Sequence, residues 1–325
     1  MKRILKRAFF LFEELVGISI GSLVRPFRLL SIKLFTTVVA LAHRLGDKTT
    51  VLLTPFLMEF GRAALDDRTP VWVFRTLVGG SIIRLDLAEK TQRNIFLAYR
   101  YEAGLTNFVI SVLKPGDVFV DVGANVGYYT LMAAAKVGEK GRVIACEPEE
   151  RNFQLLRTNV DANHYTHIQL LQTAVGEESG TATLHINPLN RGGNSILPFD
   201  RYKTGTHTYD RVFIERKYGR DTLEQKVSVR TLDDVLDAEH VLPIRVLKID
   251  VEGFEASVFR GMKKVLEKKS IDYILCEISS DSARHTILEI IKNAGYAPYR
   301  IDPRGSLIPV VGKYPRDVLF SKGLF

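Results

Sequence analysis

The sequence predicts a doubly wound α/β fold, in which helices cover both faces of a mostly parallel sheet. From residue 118 onward, short apolar runs alternate with segments of helical pattern, and this alternation is typical of parallel strands joined by helical crossovers. Several of the apolar runs end at an acidic residue. In this fold class ligands bind at the carboxyl ends of the strands, so these acids indicate where a functional site is expected.

The composition is that of an ordinary globular protein. The chain has 325 residues, of which 46% are hydrophobic and 25% are charged, and it contains two cysteines. These values exclude collagen-like, low-complexity and disulfide-stapled architectures. The low cysteine count favours a reducing compartment, and we expect the protein in the cytoplasm.

The net charge of +8 is concentrated at the N-terminus. The first 45 residues carry a net charge of +6, whereas the remaining 280 residues carry only +2. A nearly neutral body argues against a nucleic-acid-binding groove along the whole protein. The sequence therefore predicts a basic, helical N-terminal extension, residues 1–70, and a main domain, residues 71–325.

Residues 4–16 have the pattern of an amphipathic helix. Apolar side chains fall on one half of the helical wheel and charged side chains on the other. Such a helix can lie on an anionic membrane surface, and residues 1–45 would then hold the protein peripherally on the inner face of the membrane. The alternative is that the extension packs on the main domain, or on a second subunit of a homo-oligomer. The uncharged runs are too short for a spanning helix of ~20 residues.

The first elements of the main domain are predicted to be a hairpin and a helix. Residues 71–77 and 81–87 are rich in β-forming residues and flank two glycines, which predicts a hairpin. Residues 89–105 have a helical pattern, and Lys114-Pro-Gly-Asp117 predicts a sharp turn.

Five strands and four helices are predicted after this turn. The strands cover residues 118–122, 142–147, 168–175, 244–251 and 271–278, and the helices cover residues 128–136, 148–163, 252–269 and 282–294. A long polar stretch, residues 187–226, interrupts the alternation. Insertions of this length often form lids or substrate loops, so we expect substrate contacts from Asn194 and Ser195. The alternative is a disordered surface loop.

A glycine loop connects the first of these strands to its helix. Gly123 and Gly127 allow the backbone to turn tightly and to approach a ligand, and Asp121 precedes them. Glu147 lies 20 residues beyond Gly127, at the end of the next strand, where a carboxylate can accept hydrogen bonds from ribose hydroxyls. The acid at position 121 suits an ammonium group and opposes a pyrophosphate. S-adenosylmethionine, which carries an ammonium, a sulfonium and a ribose, therefore fits better than NAD.

A second group of charged residues lies at the end of the fourth strand. Lys248, Asp250 and Glu252 alternate with apolar residues and so share one face of the strand. Three charges cannot face a dry core without partners. Glu277 ends the following strand and adds a fourth ionisable group. A purely structural ion pair is the alternative, but the position at the carboxyl ends of strands favours a site.

These motifs together resemble the FkbM-type family of S-adenosylmethionine-dependent methyltransferases. The resemblance runs from about residue 80 to the C-terminus and is carried by Tyr101-Glu102, Lys114-Pro-Gly-Asp117, Asp121-Val-Gly-Ala-Asn-Val-Gly-Tyr-Tyr-Thr130, Glu147-Pro148, Ala174-Val-Gly176, Thr231-Leu-Asp-Asp234, Lys248-Ile-Asp-Val-Glu-Gly-Phe-Glu255 and Glu277. The glycine loop is shared by many class I methyltransferases, whereas the run that begins at Lys248 is much more specific to this family. Residues 1–70 have no counterpart that we recognise.

The resemblance implies a fold, an activity and a set of cofactor contacts. The fold is a Rossmann-like, seven-stranded class I sheet whose last strand, residues 317–321, runs antiparallel. The activity is methyl transfer, most often to a hydroxyl of a sugar, a lipid-linked glycan or a secondary metabolite. The implied cofactor contacts are Asp121, Gly123, Asn125 and Gly127 along the methionine and ribose, Glu147 at the ribose, Thr173 and Ala174 near the adenine, and Glu102 on the N-terminal side.

The catalytic residues are expected among the acids at the strand ends. The methyl group of S-adenosylmethionine is already activated, so the protein has mainly to align an acceptor oxygen and remove its proton. We hypothesise that Asp250 is the base or orients the acceptor, and that Lys248 tunes Asp250. Glu252 and Glu277 would orient acceptor hydroxyls. The three carboxylates could also hold a divalent cation, but binding of hydroxyl groups without a metal is favoured.

Two other functions stay open at this point. An NAD-dependent oxidoreductase is disfavoured by Asp121 and by the missing third glycine of the dinucleotide fingerprint. A non-catalytic, membrane-associated partner that keeps the fold is disfavoured by the intact acids at positions 121, 147, 250, 252 and 277.

Overall fold

The chain forms two compact units in a computed structural model. The first unit comprises residues 1–75 and 85–101, and the second comprises residues 76–84 and 102–325. The structure describes residues 28–45, 71–98, 100–198, 201–204, 207–241, 243–278 and 280–322. The amphipathic helix predicted over residues 4–16 therefore lies outside the described residues.

Among its described residues, the first unit contains two helices. They are α1 (Arg28–Leu45) and α2 (Lys90–Leu97). Val39 and Ala42 of α1 are buried, and an imidazole nitrogen of His43 lies 3.2 Å from the carbonyl oxygen of Leu97 at the end of α2. In the described part of the chain, every helix is too short or too polar to span a bilayer.

The predicted hairpin is confirmed, whereas the helix predicted over residues 89–105 is wrong in its length. The strands β1 (Trp72–Thr76) and β2 (Ile82–Asp86) form a two-stranded sheet. The predicted helix is instead α2 and a separate helix, α3 (Ala103–Val112). Glu102 has a left-handed φ of +47° immediately before α3, and this conformation cannot continue a right-handed helix.

An eight-stranded sheet forms the core of the second unit. Its strands are β3 (Val118–Val122), β4 (Arg142–Cys146), β5 (Ile168–Leu171), β11 (Ile244–Ile249), β12 (Ile271–Glu277), β13 (Ala297–Ile301), β14 (Leu307–Pro309) and β15 (Asp317–Ser321). The order across the sheet is β14-β13-β15-β12-β11-β3-β4-β5. The five predicted strands run parallel, and β15 pairs antiparallel with β12 as expected. The sheet has eight strands rather than seven because the short strand β14 pairs with β13 at its edge.

Helices connect the parallel strands, as the alternating pattern predicted. They are α4 (Tyr128–Val137), α5 (Glu150–Ala162), α7 (Leu232–Glu239), α8 (Glu255–Arg260), α9 (Lys263–Glu267) and α10 (Asp281–Asn293). The single helix predicted over residues 252–269 is wrong, because it is divided into α8 and α9 at Gly261. A Cβ atom on Gly261 would lie 1.9 Å from the carbonyl oxygen of Gly176, so the two backbones pack directly on each other there.

The segment between β5 and β11 contains a second, smaller sheet. The strands β6 (Ala174–Val175), β7 (Gly180–His185) and β10 (Glu224–Arg230) form it in the order β6-β10-β7. The strand predicted over residues 168–175 is therefore two strands in two different sheets. Within residues 187–226 lie a hairpin, formed by β8 (Arg201–Thr204) and β9 (His207–Asp210), and a helix, α6 (Arg211–Tyr218). The role of residues 187–226 as a lid or substrate loop stays a prediction.

The continuous apolar strands are explained by burial on both faces of the large sheet. Phe119, Ile144 and Leu247 are fully buried in β3, β4 and β11, as expected for parallel strands with covered faces. The buried charged residues of these parallel strands, Asp121 and Lys248, lie near the carboxyl ends of β3 and β11.

Gly123 joins the loop after β3 to the turn after β11. Its φ of +83° lies in the left-handed region, and a Cβ atom would lie 1.9 Å from the carbonyl oxygen of Asp250. The same turn is held by the backbone N–H of Asp250, which donates to the carbonyl oxygen of Val122 at 3.0 Å. Glycine at position 123 is therefore required both by conformation and by close backbone packing.

We predict that Gly123→Ala destabilises the fold much more than Gly116→Ala. Gly116 also has a positive φ, +90°, but nothing lies within 4 Å of the position of its Cβ atom. Alanine at Gly116 should cost about 1–2 kcal/mol for the strained backbone. Gly123→Ala should cost about 3 kcal/mol more, because the new atom overlaps a backbone carbonyl. Thermal midpoints measure the difference, and equal midpoints would contradict the close packing.

Candidate functional site

The predicted site residues meet at the carboxyl ends of four adjacent strands. Asp121 lies in β3, Glu147 follows β4, Asp250 follows β11, and Glu277 ends β12. These strands are neighbours in the order β12-β11-β3-β4. The structure thus brings together the two groups of acids that are 100 or more residues apart in the sequence.

Lys248 lies at the centre of this edge. Its Nζ atom lies 3.2 Å from Oδ2 of Asp250, 3.8 Å from Oδ1 of Asp121, and 5.2 Å from the centre of the Tyr129 ring. The side chain is almost fully buried. Burial alone would lower the pKa of Lys248, but Asp250 and Asp121 raise this pKa well above its ordinary value. The ammonium group therefore stays charged and holds both carboxylates.

Asp121 keeps one carboxylate oxygen without a hydrogen-bond donor. The hydroxyl of Thr130 donates to its Oδ2 at 2.7 Å. Its Oδ1 atom is buried and has no hydrogen-bond partner among the described residues. Burial raises the pKa of Asp121, and Lys248 and Thr130 oppose this shift. An incoming ammonium group would satisfy the remaining oxygen.

Glu147 is held by two backbone N–H groups. Asn125 donates to its Oε2 at 2.8 Å, and Glu149 donates to its Oε1 at 3.0 Å. Burial raises the pKa of Glu147 to about 7, against the effect of these two bonds. Each carboxylate oxygen has two lone pairs, so Glu147 can still accept hydrogen bonds from the hydroxyls of a ribose.

Glu102 reaches the same edge through Tyr129. The Tyr129 hydroxyl donates to Oε2 of Glu102 at 2.8 Å, and the same ring faces Lys248. Burial and the charge of Asp250 raise the pKa of Glu102. The structure therefore places Glu102 beside the Lys248 group, although its role in closing the cofactor site stays a prediction.

Thr173 and Ala174, expected near an adenine, follow β5 next to the Glu147 turn. The backbone N–H groups of Glu147 and Thr173 both donate to the carbonyl oxygen of Leu171, at 3.1 and 3.0 Å. The Thr173 hydroxyl donates to the carbonyl oxygen of Ser228 in β10 at 3.1 Å. This hydroxyl thus links the two sheets, and the adenine contact stays a prediction.

Three carboxylates form an acidic cluster on the other side of Lys248. Asp250, Glu252 and Glu277 each have a carboxylate oxygen within 4.8 Å of the others. Burial and the charge of Asp250 raise the pKa of Glu252 to about 7 and that of Glu277 to about 8. Arg316 contacts Glu277 and lies 3.7 Å from Glu252. The guanidinium group of Arg316 already faces two of the three carboxylates, and this favours a cluster that binds hydroxyl groups without a metal ion.

The two predicted substrate residues lie beside this cluster. The Ser195 hydroxyl donates to the main-chain carbonyl of Glu252 at 2.7 Å. The Asn194 side-chain oxygen accepts from the backbone N–H of Asn187 at 2.8 Å, and its buried amide nitrogen has no hydrogen-bond partner among the described residues. Ser195 therefore supports the turn that carries Glu252 rather than the Glu252 carboxylate itself.

Sequence reasoning did not identify Arg316 or Arg191 as part of the site. Arg316 precedes β15 and reaches the cluster only because β15 pairs with β12, which places Asp317 opposite Glu277. Arg191 lies in the insertion predicted over residues 187–226, where substrate contacts were expected only from Asn194 and Ser195, and its Nη1 atom lies 2.8 Å from Oε1 of Glu149. Tyr129 was within the quoted glycine-loop motif, and its position in that motif was the available signal.

Comparisons with known proteins identify a methyltransferase family. A family model described as the methyltransferase FkbM domain matches residues 121–298. Methyltransferase 1 of Beauveria bassiana is 29% identical over 56% of this chain and 74% of the relative. The 31-O-demethyl-FK506 methyltransferase FkbM of Streptomyces tacrolimicus is 28% identical over 57% and 74%. The hexuronic acid methyltransferase AglP of Haloferax volcanii is 23% identical over 60% and 70%.

A solved structure with similarity to the chain carries the same family name. It is the methyltransferase FkbM from Methylobacillus flagellatus KT, with 19% identity and a TM-score of 0.37. The match covers 70% of this chain and 52% of that one, so this chain spans about half the length of that protein.

We predict that Lys248→Met destabilises the protein in a pH-dependent way. Without the ammonium group, Asp121 and Asp250 lack their cation, and the free energy of unfolding at pH 8 should fall by about 3 kcal/mol or more. The pKa of Asp121 is already raised and should rise further. A raised pKa stabilises the folded state at low pH, and this stabilisation is lost as pH rises through the folded pKa. The deficit should therefore shrink as pH falls.

Urea unfolding of the Lys248→Met variant between pH 5 and 8 measures this dependence. Lys264→Met is the matched control, because Lys264 is largely exposed and lies 3.7 Å from the exposed Asp237. A deficit of constant size across this pH range would show that Lys248 does not govern the ionisation of its neighbours.

Proposed function

Because the chain belongs to the FkbM family of methyltransferases, we propose that it transfers a methyl group from S-adenosylmethionine to a hydroxyl group. The expected acceptor is a sugar, a lipid-linked glycan or a secondary metabolite. The observation that carries the proposal is the Lys248 group, in which one ammonium joins Asp121 of the glycine loop to Asp250 of the acidic cluster. A cofactor-binding half and an acceptor-binding half thus share one buried cation.

The residues of the cofactor half fit S-adenosylmethionine. Oδ1 of Asp121 suits an ammonium group, and Glu147 suits the ribose hydroxyls. The left-handed backbone at Gly123 and Gly127 forms the loop between them. When bound, the cofactor would supply an electrophilic methyl group. Its positive groups would also complement the acidic side chains around Lys248.

The acceptor half would bind and deprotonate a hydroxyl group. Asp250 would take the proton of the acceptor hydroxyl as the oxygen forms its bond to carbon, and the proton would then pass to solvent. Lys248, at 3.2 Å, orients the Asp250 carboxylate. Glu252 and Glu277 would accept hydrogen bonds from neighbouring hydroxyls. Closely spaced carboxylates match the several adjacent hydroxyls of a sugar.

The names of the relatives support an oxygen acceptor, and the family match disfavours one alternative. One relative is named a hexuronic acid methyltransferase and another a 31-O-demethyl-FK506 methyltransferase. The match to methyltransferases favours methyl transfer over NAD-dependent oxidoreduction. A non-catalytic partner is distinguished by experiment, since it would bind S-adenosylhomocysteine without transferring a methyl group. Contact of residues 1–45 with an anionic membrane stays a prediction from their charge.

Methyl transfer from tritiated S-adenosylmethionine into fractionated glycans and lipids tests the proposed function. We predict that Asp250→Asn lowers kcat by about 10²–10⁴-fold, because the variant lacks the base. Its affinity for S-adenosylhomocysteine should stay within about twofold of the wild-type value, since no cofactor contact is removed. Asp237→Asn, at an exposed surface position, should behave as wild type. Full transfer by Asp250→Asn would exclude the general-base role.

We predict that kcat/KM for the acceptor rises with pH from about 6 to about 8.5. The pKa values of Glu252 and Glu277 are raised to about 7 and about 8, and each accepts hydrogen bonds from the acceptor more strongly once it has lost its proton. Glu252→Gln removes a negative charge beside Glu277, so the upper inflection should move to lower pH. A pH profile that is flat over this range would contradict the assignment.

A further inference from the structure

A short segment of the insertion is anchored to both halves of the site. We call residues 191–197 the strap. We propose that Arg191 and Ser195 of the strap are positioning residues, which hold the cofactor-binding carboxylate and the acceptor-facing carboxylate in a fixed relation. This inference rests on the proposed function and assigns the insertion a role in it. It differs from direct acceptor binding, because both side chains act on other residues of the site.

Arg191 is the anchor on the cofactor side. Its Nη1 atom lies 2.8 Å from Oε1 of Glu149, whose side chain is almost fully buried. Glu149 caps α5 by accepting from the backbone N–H of Asn152 at 2.7 Å, and its own N–H donates to Glu147. The Asn152 amide donates back to the carbonyl oxygen of Arg191 at 3.3 Å. Arg191 thus fixes the turn that presents Glu147.

The charge of Arg191 also has a function in this turn. Glu147 and Glu149 are both buried and lie two residues apart, and the negative charge of Glu149 is one cause of the raised pKa of Glu147. A buried carboxylate without a cation is costly, so Arg191 compensates Glu149. Loss of the Arg191 charge would therefore disturb the buried carboxylates of Glu147 and Glu149, and not only a contact at the surface.

Ser195 is the anchor on the acceptor side. It is buried, and its hydroxyl donates to the carbonyl oxygen of Glu252 while accepting from the N–H of Leu197 at 3.1 Å. Glu252 has a left-handed φ of +48°, which is unfavourable for a side chain that cannot bond to its own backbone as Asn does. The Ser195 bond therefore holds a strained residue. Leu197 lies against the next residue, 3.2 Å from the position of a Cβ atom on Gly253.

The two anchors lie on either side of the glycine loop. Glu149 belongs to the turn after β4, and Glu252 to the turn after β11, and β3 lies between these strands. Adjacent strands are about 4.8 Å apart, so the two turns are separated by roughly 10 Å at the sheet. Four residue steps from Arg191 to Ser195 are long enough to span this distance. The strap thus connects the two turns directly, outside the sheet.

This connection predicts that the two halves of the site are energetically coupled. If both anchors hold one segment, releasing either one removes most of the benefit of the other. If the two residues acted independently, the fold-changes that their substitutions cause in Kd would multiply. A double-mutant cycle on the affinity for S-adenosylhomocysteine separates these cases without requiring methyl transfer.

The cycle compares Arg191→Gln, Ser195→Ala and the double variant by titration calorimetry with S-adenosylhomocysteine. We expect Kd to rise about tenfold for Arg191→Gln and about threefold for Ser195→Ala, since a charge-assisted bond is lost in the first and a neutral bond in the second. For the double variant we expect a rise of about tenfold. Arg191→Lys keeps the positive charge and should recover part of the affinity.

Two surface variants of the same insertion are matched controls. Arg211→Gln removes an arginine that pairs with Glu215 and Glu224, and Thr222→Ala removes a hydroxyl that donates to the carbonyl oxygen of Tyr218 at 2.8 Å. None of these bonds involves the turns that carry Glu147 and Glu252, so the Kd for S-adenosylhomocysteine should be unchanged. Circular dichroism and thermal midpoints check that each variant is folded.

Each outcome of the cycle decides between the proposals. If the wild-type protein does not bind S-adenosylhomocysteine, the proposed function fails and the strap inference with it. If the wild type binds and the single variants bind equally well, the strap inference alone is overturned. A Kd for the double variant that rises about thirtyfold, the product of the single effects, would show independent anchors and overturn the coupling. A rise near tenfold supports it.

Discussion

The site depends on one buried ammonium group. Lys248 lies between Asp121, in β3, and Asp250, directly after β11, and these two strands are adjacent in the large sheet. A lysine at this position could not stay charged without them, and the buried carboxylate of Asp121 could not lie so close to the partly exposed Asp250 without the lysine. The ion group therefore fixes the alignment of β3 and β11 at the edge where ligands bind in this fold class.

The two halves of the site are in direct backbone contact. The loop after β3 packs on the carbonyl oxygen of Asp250, and Gly123 leaves the room for this contact. Any displacement of the turn after β11 would thus move the glycine loop. The strap adds a second connection between the turns that carry Glu147 and Glu252. Methyl transfer requires an in-line arrangement of donor and acceptor, and such double support is a physical means to maintain it.

Three of the six non-glycine residues with a positive φ in the described part of the chain lie at this edge. Glu102, Asn125 and Glu252 all have left-handed φ values near +50°, and all three border the site. Such conformations persist where surrounding contacts hold them. The main chain of Asn125 is bonded to Glu147, and that of Glu252 to Ser195. In the neighbouring acidic cluster, burial and the charge of Asp250 raise the pKa of Glu252 to about 7 and that of Glu277 to about 8, and Arg316 opposes this rise.

The sequence by itself determined the parallel strands, the glycine loop and the acids at the strand ends, because burial on both faces and alternation along a strand are local patterns. From those patterns alone, Asp121, Lys248 and Asp250 are assigned to one edge of the sheet, although the patterns give no distance between them. Only the tertiary structure decided which helices break, since Gly261 interrupts its helix through the approach of the distant Gly176 backbone. It also decided the contacts of Arg191 and Arg316. Arg191 begins a single 3₁₀ turn and Arg316 lies in a loop, so no periodic burial constrains either side chain. Their partners are set by which turns the folded sheet brings together.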